Sequence, residues 1–416
     1  MATPNSKGGF SGKVAFVTDD GPTMPGRRDV LKAGMVLAAA PLMGGVATRA
    51  EAAANPPVAN GPFTARAYGN TSATGPLGPV QIKRRAVGPH DVLLDVLYCG
   101  ICHSDIHQAR NEWSSLPTVY PCVPGHEIIG RVQAVGSAVT KFKVGDIGGV
   151  GCMVDSCGTC ENCLADREQN CLKGATFTYN SPDRATGENT LGGYSEKMVV
   201  SERFVIRIPP GADLAATAPL LCAGITTFSP MQHWKLSSRQ RVGVVGLGGL
   251  GHMAVKLAAA RKTEVTVFTT SPGKVADARR LGAHEVVLWS DTGAMKPLAN
   301  RFDLLISTVP EAYPMQPFMD LLALDGTLVN VGALNQLQGG LIGMSMAFGR
   351  KSLAGSVIGG VAETQEVIDY CAARNIKADV ELIRPEQINQ AFDRVVSKNV
   401  RYRFVIDLAT GRKQRT

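Results

Sequence analysis

The stretch Arg241-Val242-Gly243-Val244-Val245-Gly246-Leu247-Gly248-Gly249-Leu250-Gly251-His252 decides the fold. A short apolar strand runs directly into G-x-G-x-x-G, and a helical pattern with Met253, Val255 and Leu257 begins behind it. Glycine at Gly246 and Gly248 lets the backbone turn tightly and come close to a pyrophosphate, and the N-terminus of the following helix then faces that negative charge. The motif alone is weak. Between a strand and a helix, and followed by a second strand over Glu264–Thr269, it specifies a βαβ unit of a doubly wound parallel sheet that binds a dinucleotide. Leu247, Gly249, Leu250 and Gly251 complete the cofactor-binding turn. Further strands are expected over Glu285–Leu288, Phe302–Thr308 and Thr327–Gly332.

The end of the second strand selects the cofactor. A chain that binds NAD usually presents an acid there for the ribose diol. This one reads Thr269-Thr270-Ser271-Pro272-Gly273-Lys274. Hydroxyls and an amine suit a 2′-phosphate, so Thr269, Thr270, Ser271 and Lys274 point to NADP(H). Thr270 and Ser271 also fit simple turn capping. Val331 and Gly332, at a strand end, fit either a nicotinamide contact or an ordinary βα turn.

Upstream, Cys99-Gly100-Ile101-Cys102-His103-Ser104-Asp105-Ile106-His107 and Pro124-Gly125-His126-Glu127 bring thiols, imidazoles and carboxylates into under thirty residues. Ligands of this kind suit a zinc ion. Cys102 and His126 are the expected ligand pair, with Asp105 and Glu127 supporting them. Just downstream, Cys157, Cys160, Cys163 and Cys171 have the spacing C-x2-C-x2-C-x7-C. Four thiolates on one loop can close a tetrahedral site with no open position, which predicts a structural zinc. An iron–sulfur cluster of the ferredoxin type would need a gap of about three residues before the last cysteine, and a proline after it. Here the gap is seven and Leu172 follows. Cys99, Cys122, Cys152 and Cys371 are expected to act as small apolar side chains.

The chain has 416 residues, with 44% hydrophobic and 19% charged, enough for two domains and a substantial core. The net charge of +8 is scattered, with no aromatic platform beside it, so no nucleic-acid partner is expected. Residues 1–55 read as a leader. Arg27-Arg28-Asp29-Val30-Leu31-Lys32 precedes an uncharged run from Ala33 to Thr48, and Ala50-Glu51-Ala52 and Ala52-Ala53-Ala54 offer small-residue cleavage sites. The paired arginines resemble a twin-arginine export signal, implying a periplasmic protein handled by that machinery, or a cytoplasmic one if the signal is unused. The apolar run is too short for stable membrane insertion. Segments Asp91–Tyr98, Ile128–Val135 and Lys197–Pro209 suggest the strands of a β-rich domain spanning residues 60–221.

These motifs, with Ala218-Pro219-Leu220-Leu221-Cys222-Ala223-Gly224 and Arg401-Tyr402-Arg403-Phe404-Val405-Ile406-Asp407, resemble the zinc-dependent medium-chain alcohol dehydrogenases, in particular the cinnamyl-alcohol dehydrogenase-like NADP-dependent aldehyde reductases. The resemblance implies a GroES-like β-rich catalytic domain over residues 60–221, interrupted by a Rossmann domain over 222–358 and completed by 359–416. It implies two zinc ions per chain. Cys222 is the third catalytic ligand beside Cys102 and His126, while Asp105 orients His126 and Glu127 lies behind the metal. It makes Ser104 and His107 the proton relay, turns His103 to the cofactor pyrophosphate, and places Trp113 in the substrate pocket. A homodimer acting on small aldehydes and primary alcohols is the implied assembly. Two other readings stay open: an exported non-catalytic binding protein on the same fold, and a polyol dehydrogenase.

Overall fold

The computed structural model describes residues 61–332 and 335–410. The leader at 1–55, Ala333 and the basic run Arg412–Arg415 lie outside the described residues.

The glycine-rich turn belongs to a six-stranded sheet, all parallel. Its order is Glu285–Leu288, Glu264–Thr269, Arg241–Val245, Phe302–Ser307, Leu322–Asn330 and Ser352–Gly355. The strand order reverses between Arg241–Val245 and Phe302–Ser307, and ligands of open α/β sheets bind outside that crevice. The inner strands are almost wholly apolar and buried, because helices cover both faces.

The second sheet has seven strands, antiparallel except where Val380–Ile383 runs parallel to Arg403–Asp407. Its spine is Asp91–Gly100 paired with Ile128–Val135, so the two metal-type motifs leave from the ends of neighbouring strands. Arg403–Asp407 pairs with Tyr98–Gly100, and the chain therefore comes back to this sheet after building the other one.

The segment Lys197–Pro209, expected as one strand, is two. Lys197–Ser201 and Ile206–Arg207 flank a 3-10 turn at Glu202–Phe204. Ser201 caps that turn through the Arg203 N–H, and the Glu202 carboxylate accepts the N–H groups of Thr140 and Lys141. Side-chain acceptors thus replace the ladder that would have continued the strand. Among the described residues no single helix is long and apolar enough to cross a membrane.

Candidate active site

A cleft of about 750 Å³ runs between the two sheets and is lined by both metal-type and cofactor-type residues. Cys102 ends the loop after strand Asp91–Gly100 and starts the helix His103–Ala109. His126 and Glu127 immediately precede strand Ile128–Val135. Cys222 starts the helix Ala223–His233. Three separate elements thus bring Cys102, His126, Glu127 and Cys222 together, with ligand atoms all within 4.8 Å of one another and all four residues buried. The two sulphurs are 3.9 Å apart, and His126 Nε2 is 3.3 Å from Cys222 Sγ. Two thiolates about 2.3 Å from one tetrahedral cation would stand about 3.8 Å apart, so the donor set fits zinc. A shared proton drives the Cys102 thiol well down and the Cys222 thiol up, with Arg403 and His126 favouring the Cys102 thiolate.

Asp105 organises this cluster from a fully buried position. Its Oδ2 accepts the Cys102 N–H at 2.8 Å and the Tyr194 hydroxyl at 3.0 Å, while Oδ1 accepts the Gly125 N–H at 3.1 Å. Oδ1 is also 3.1 Å from His126 Nδ1, and the Tyr179 hydroxyl lies 3.1 Å from the same nitrogen. That leaves Nε2 facing the thiols. Glu127 sits behind the cluster, 3.4 Å from Arg403 Nη2, and its oxygens have no hydrogen-bond donor among the described residues. Burial pushes its carboxyl up to about 8, against the pull of Arg403.

Helix His103–Ala109 places His103 and His107 one turn apart, with ring centroids 4.7 Å apart. Burial and the neighbouring His107 hold His103 below its ordinary value. The Ser104 hydroxyl is 3.6 Å from Cys102 Sγ at the cleft floor. His107 packs on Trp113 at 5.4 Å, and its Nδ1 meets Glu112 Oε2 at 2.5 Å. Glu112 was not legible in the sequence, although its spacing of five from His107 could have drawn attention to it.

Across the cleft, Gly246 has φ +91°, and a Cβ at Gly251 would lie 2.1 Å from the Gly246 carbonyl, so the turn excludes any larger residue there. A Cβ at Gly248 would meet nothing within 4 Å, which leaves open space at the turn, as a cradle for pyrophosphate needs. Leu247, Gly249 and Leu250 line the same wall. The Arg403 guanidinium reaches from the other sheet to within 2.9 Å of where a Gly249 Cβ would stand. Glu127, followed by Cys102 and Cys222, overcomes the cost of burial and keeps Arg403 charged.

Thr269, Thr270, Ser271 and Lys274 all line the far end of the cleft. Thr269 Oγ1 accepts the Ser271 N–H at 3.1 Å, and Lys274 Nζ donates to the Leu247 carbonyl at 3.0 Å, so the lysine also braces the glycine turn. Val331 and Gly332 also line the cleft.

The second thiol set is local. Cys157, Cys160, Cys163 and Cys171 also place their sulphurs within 4.8 Å of one another. Backbone N–H groups of Thr159 and Cys160 hold the Cys157 thiol down to about 5, the setting of a thiolate ligand. Of the four remaining cysteines, Cys99, Cys122 and Cys371 are buried and their thiols pushed up, as small apolar residues should be. Cys152 departs from that expectation. It lines the cleft and touches Cys222, which together with His126 lowers its thiol.

Two family models match the chain: an alcohol dehydrogenase GroES-like domain over residues 88–210 and a zinc-binding dehydrogenase domain over residues 249–373. The chain belongs to the zinc-binding medium-chain alcohol dehydrogenases. The dehydrogenase is 50% identical to an aldehyde reductase, YahK, of Escherichia coli, across 83% of this chain and 98% of the relative. It is also 50% identical to a mannitol dehydrogenase of Petroselinum crispum, across 80% and 98%. A cinnamyl alcohol dehydrogenase of Helicobacter pylori complexed with NADP(H) superposes with a TM-score of 0.79 at 40% identity, across 83% of this chain and 99% of that one.

Proposed function

We propose that this dehydrogenase interconverts a small aldehyde and its primary alcohol using NADP(H), with one catalytic and one structural zinc per chain. The observation that carries this reading is the cleft itself, where a buried two-thiol, one-imidazole cluster faces a glycine turn across one continuous cavity.

Cys102, His126 and Cys222 would hold the catalytic zinc, which when bound polarises a carbonyl oxygen as a Lewis acid. Gly246–Gly251 and Arg403 would hold the pyrophosphate of NADP(H), and Ser271 and Lys274 its 2′-phosphate, and the bound cofactor would supply the hydride. Asp105 fixes the His126 ring so that Nε2 faces the two sulphurs. Ser104, beside Cys102, would hold or release the proton of the substrate oxygen. His107, with Nδ1 held by Glu112, would carry that proton toward solvent. Trp113 and Val331 line the same cleft and would give the substrate an apolar wall.

Support for an aldehyde comes from the E. coli relative and for NADP(H) from the H. pylori complex. The parsley relative supports the polyol reading, and a substrate panel separates the two. Purified enzyme is expected to oxidise NADPH with benzaldehyde or cinnamaldehyde, and to prefer NADPH to NADH. Activity confined to mannitol and NAD would overturn the proposal.

We also propose a homodimer joined at the edge strand Ser352–Gly355. The neighbouring helix Gly343–Gly349 leaves Met344 and Phe348 70% and 84% exposed. Phe348→Glu is expected to turn a sedimenting dimer into a monomer. The leader is proposed to direct twin-arginine export to the periplasm. Arg27→Lys with Arg28→Lys should then retain the enzyme in the cytoplasm.

A further inference from the structure

Three non-glycine residues with positive φ line the cleft among the described residues, Asn180, Ile358 and Lys398, and of these only Ile358 is β-branched. Ile358 has φ +39°, a left-handed conformation that a β-branched side chain adopts only when its surroundings impose it. It is buried, and it lines the cleft together with Val357. Just before it, the Ser356 N–H donates to the Asn330 carbonyl at 3.1 Å, which sets this wall beside Val331 and Gly332. Just after it come Gly359 and Gly360, then the helix Val361–Ala373.

That helix has no cap of its own, because Gly360 stands at its N-cap position. The cap comes from the second thiol lobe. Glu168 is buried, and its Oε2 accepts the Val361 N–H at 3.0 Å. A Cβ at Gly360 would lie 1.9 Å from the Asp166 carbonyl and 2.8 Å from Glu168 Oε2, so the lobe's backbone presses directly on the segment after Ile358. Both contacting residues are bonded to zinc-type cysteines: the Cys171 N–H donates to the Glu168 carbonyl at 3.0 Å, and the Asp166 N–H to the Cys163 carbonyl at 3.3 Å. A continuous chain of contacts therefore runs from Cys163 and Cys171 through Glu168 and Val361 to Ile358 at the cleft.

We infer that Glu168 is a positioning residue, through which the structural-zinc lobe holds the Ile358 wall in the conformation that receives NADPH. The inference rests on the oxidoreductase reading above. A carboxylate at a helix N-terminus gains both a hydrogen bond and the favourable end of the helix dipole. Without it, Ile358 can relax, and the fraction of chains ready to bind falls. Apparent affinity falls with that fraction, while the bound complex reacts at its usual rate.

The test uses the full-length enzyme in four forms besides wild type: Glu168→Ala, Glu168→Gln, Ile358→Gly and the double variant Glu168→Ala with Ile358→Gly. Zinc content is measured for each, NADPH binding by fluorescence titration, and kcat at saturating aldehyde and cofactor. Glu168→Ala is expected to weaken NADPH binding about 5-fold, with kcat within about 2-fold and zinc content unchanged. Glu168→Gln keeps an acceptor oxygen and should return to within about 2-fold of wild type. In the Ile358→Gly background, where no strain remains to be held, Glu168→Ala should cost less than about 2-fold. Wild-type binding in Glu168→Ala, an equal penalty in both backgrounds, loss of zinc, or failure of Glu168→Gln to rescue would each overturn the inference. If Glu168→Ala does not fold, Glu168→Asp, one methylene shorter, takes its place under the same criteria. Binding is read without turnover. A wild type that binds NADPH but reduces no aldehyde refutes the proposed function alone. Normal wild-type turnover with no effect at Glu168 refutes this inference alone.

Discussion

The two thiol clusters use similar donors and are built in opposite ways. Cys157–Cys171 draws its four sulphurs from one short loop, and Cys157 and Cys160 keep partial contact with solvent. Cys102, His126 and Cys222 come from three elements and are buried. The local set would spend all four ligands on one ion and leave no open position, which suits a structural role. The distributed set has two thiols and one imidazole, with Glu127 beside Arg403 at 3.4 Å, and it opens on a cleft. Assembly from distant segments is what lets one site touch both the metal ligands and the cofactor turn.

Substitution at one cysteine of each set gives the sharpest contrast. Cys222→Ala is expected to remove one zinc per chain and lower kcat by roughly 10³-fold or more, because the Lewis acid is lost. Cys160→Ala should also remove one zinc, but lower Tm first and kcat far less, since structural metal binding is folding free energy. Metal analysis with melting curves checks both, and equal losses of kcat would erase the distinction. Ser104→Ala comes next, with turnover down roughly 10²-fold and both zinc ions retained. An active, zinc-replete Ser104→Ala enzyme would remove the hydroxyl from the relay.

On the opposite wall, Lys274→Ala should raise the KM for NADPH by about 10-fold or more, and that for NADH much less. Equal effects would show that the lysine serves only the Leu247 carbonyl that it bonds at 3.0 Å.

The smallest effect concerns pH. Burial, then Lys256 and Arg403, hold His252 down to about 3, outweighing Asp379. Its Nδ1 faces the Gly249 carbonyl at 2.8 Å and its Nε2 accepts the Asp379 N–H at 3.3 Å, an arrangement that needs a neutral ring. The unfolded chain binds this proton near 6.5 and the folded one near 3, so the stability is complete above the first value and is lost as pH falls toward the second. His252→Gln is expected to flatten that part of the Tm profile by about 2–4 °C.

Legibility in the sequence followed the range of each interaction. Strands Ile128–Val135, Arg241–Val245, Glu264–Thr269 and Glu285–Leu288 fall where apolar runs and glycine breaks put them. The local cysteine loop needed only its spacing. Lys197–Pro209 was misread because the residues that break it, Thr140 and Lys141, lie about sixty positions away. The strand expected over Thr327–Gly332 begins at Leu322 and ends at Asn330, since its first half carries exposed residues that give no apolar run. Cys222 came only from the family resemblance, for no local pattern ties it to Cys102, 120 residues earlier. Tyr179, Tyr194 and Arg403 join the site through tertiary contact alone, and Glu112 through a local contact with His107.

The returning strand Arg403–Asp407 also bears on the order of assembly. Arg403 donates to the Ile101 carbonyl at 3.1 Å, pairs with Glu127 and stands over Gly249. Ribosomal synthesis delivers that guanidinium late. The glycine turn and both cysteine sets emerge earlier, but the seven-stranded sheet cannot close, nor Glu127 find its counter-charge, until residue 403 is free to dock. A nascent chain stalled before that point carries every candidate zinc ligand and still lacks the finished cleft. The cleft therefore depends on a residue that is synthesised after every candidate zinc ligand.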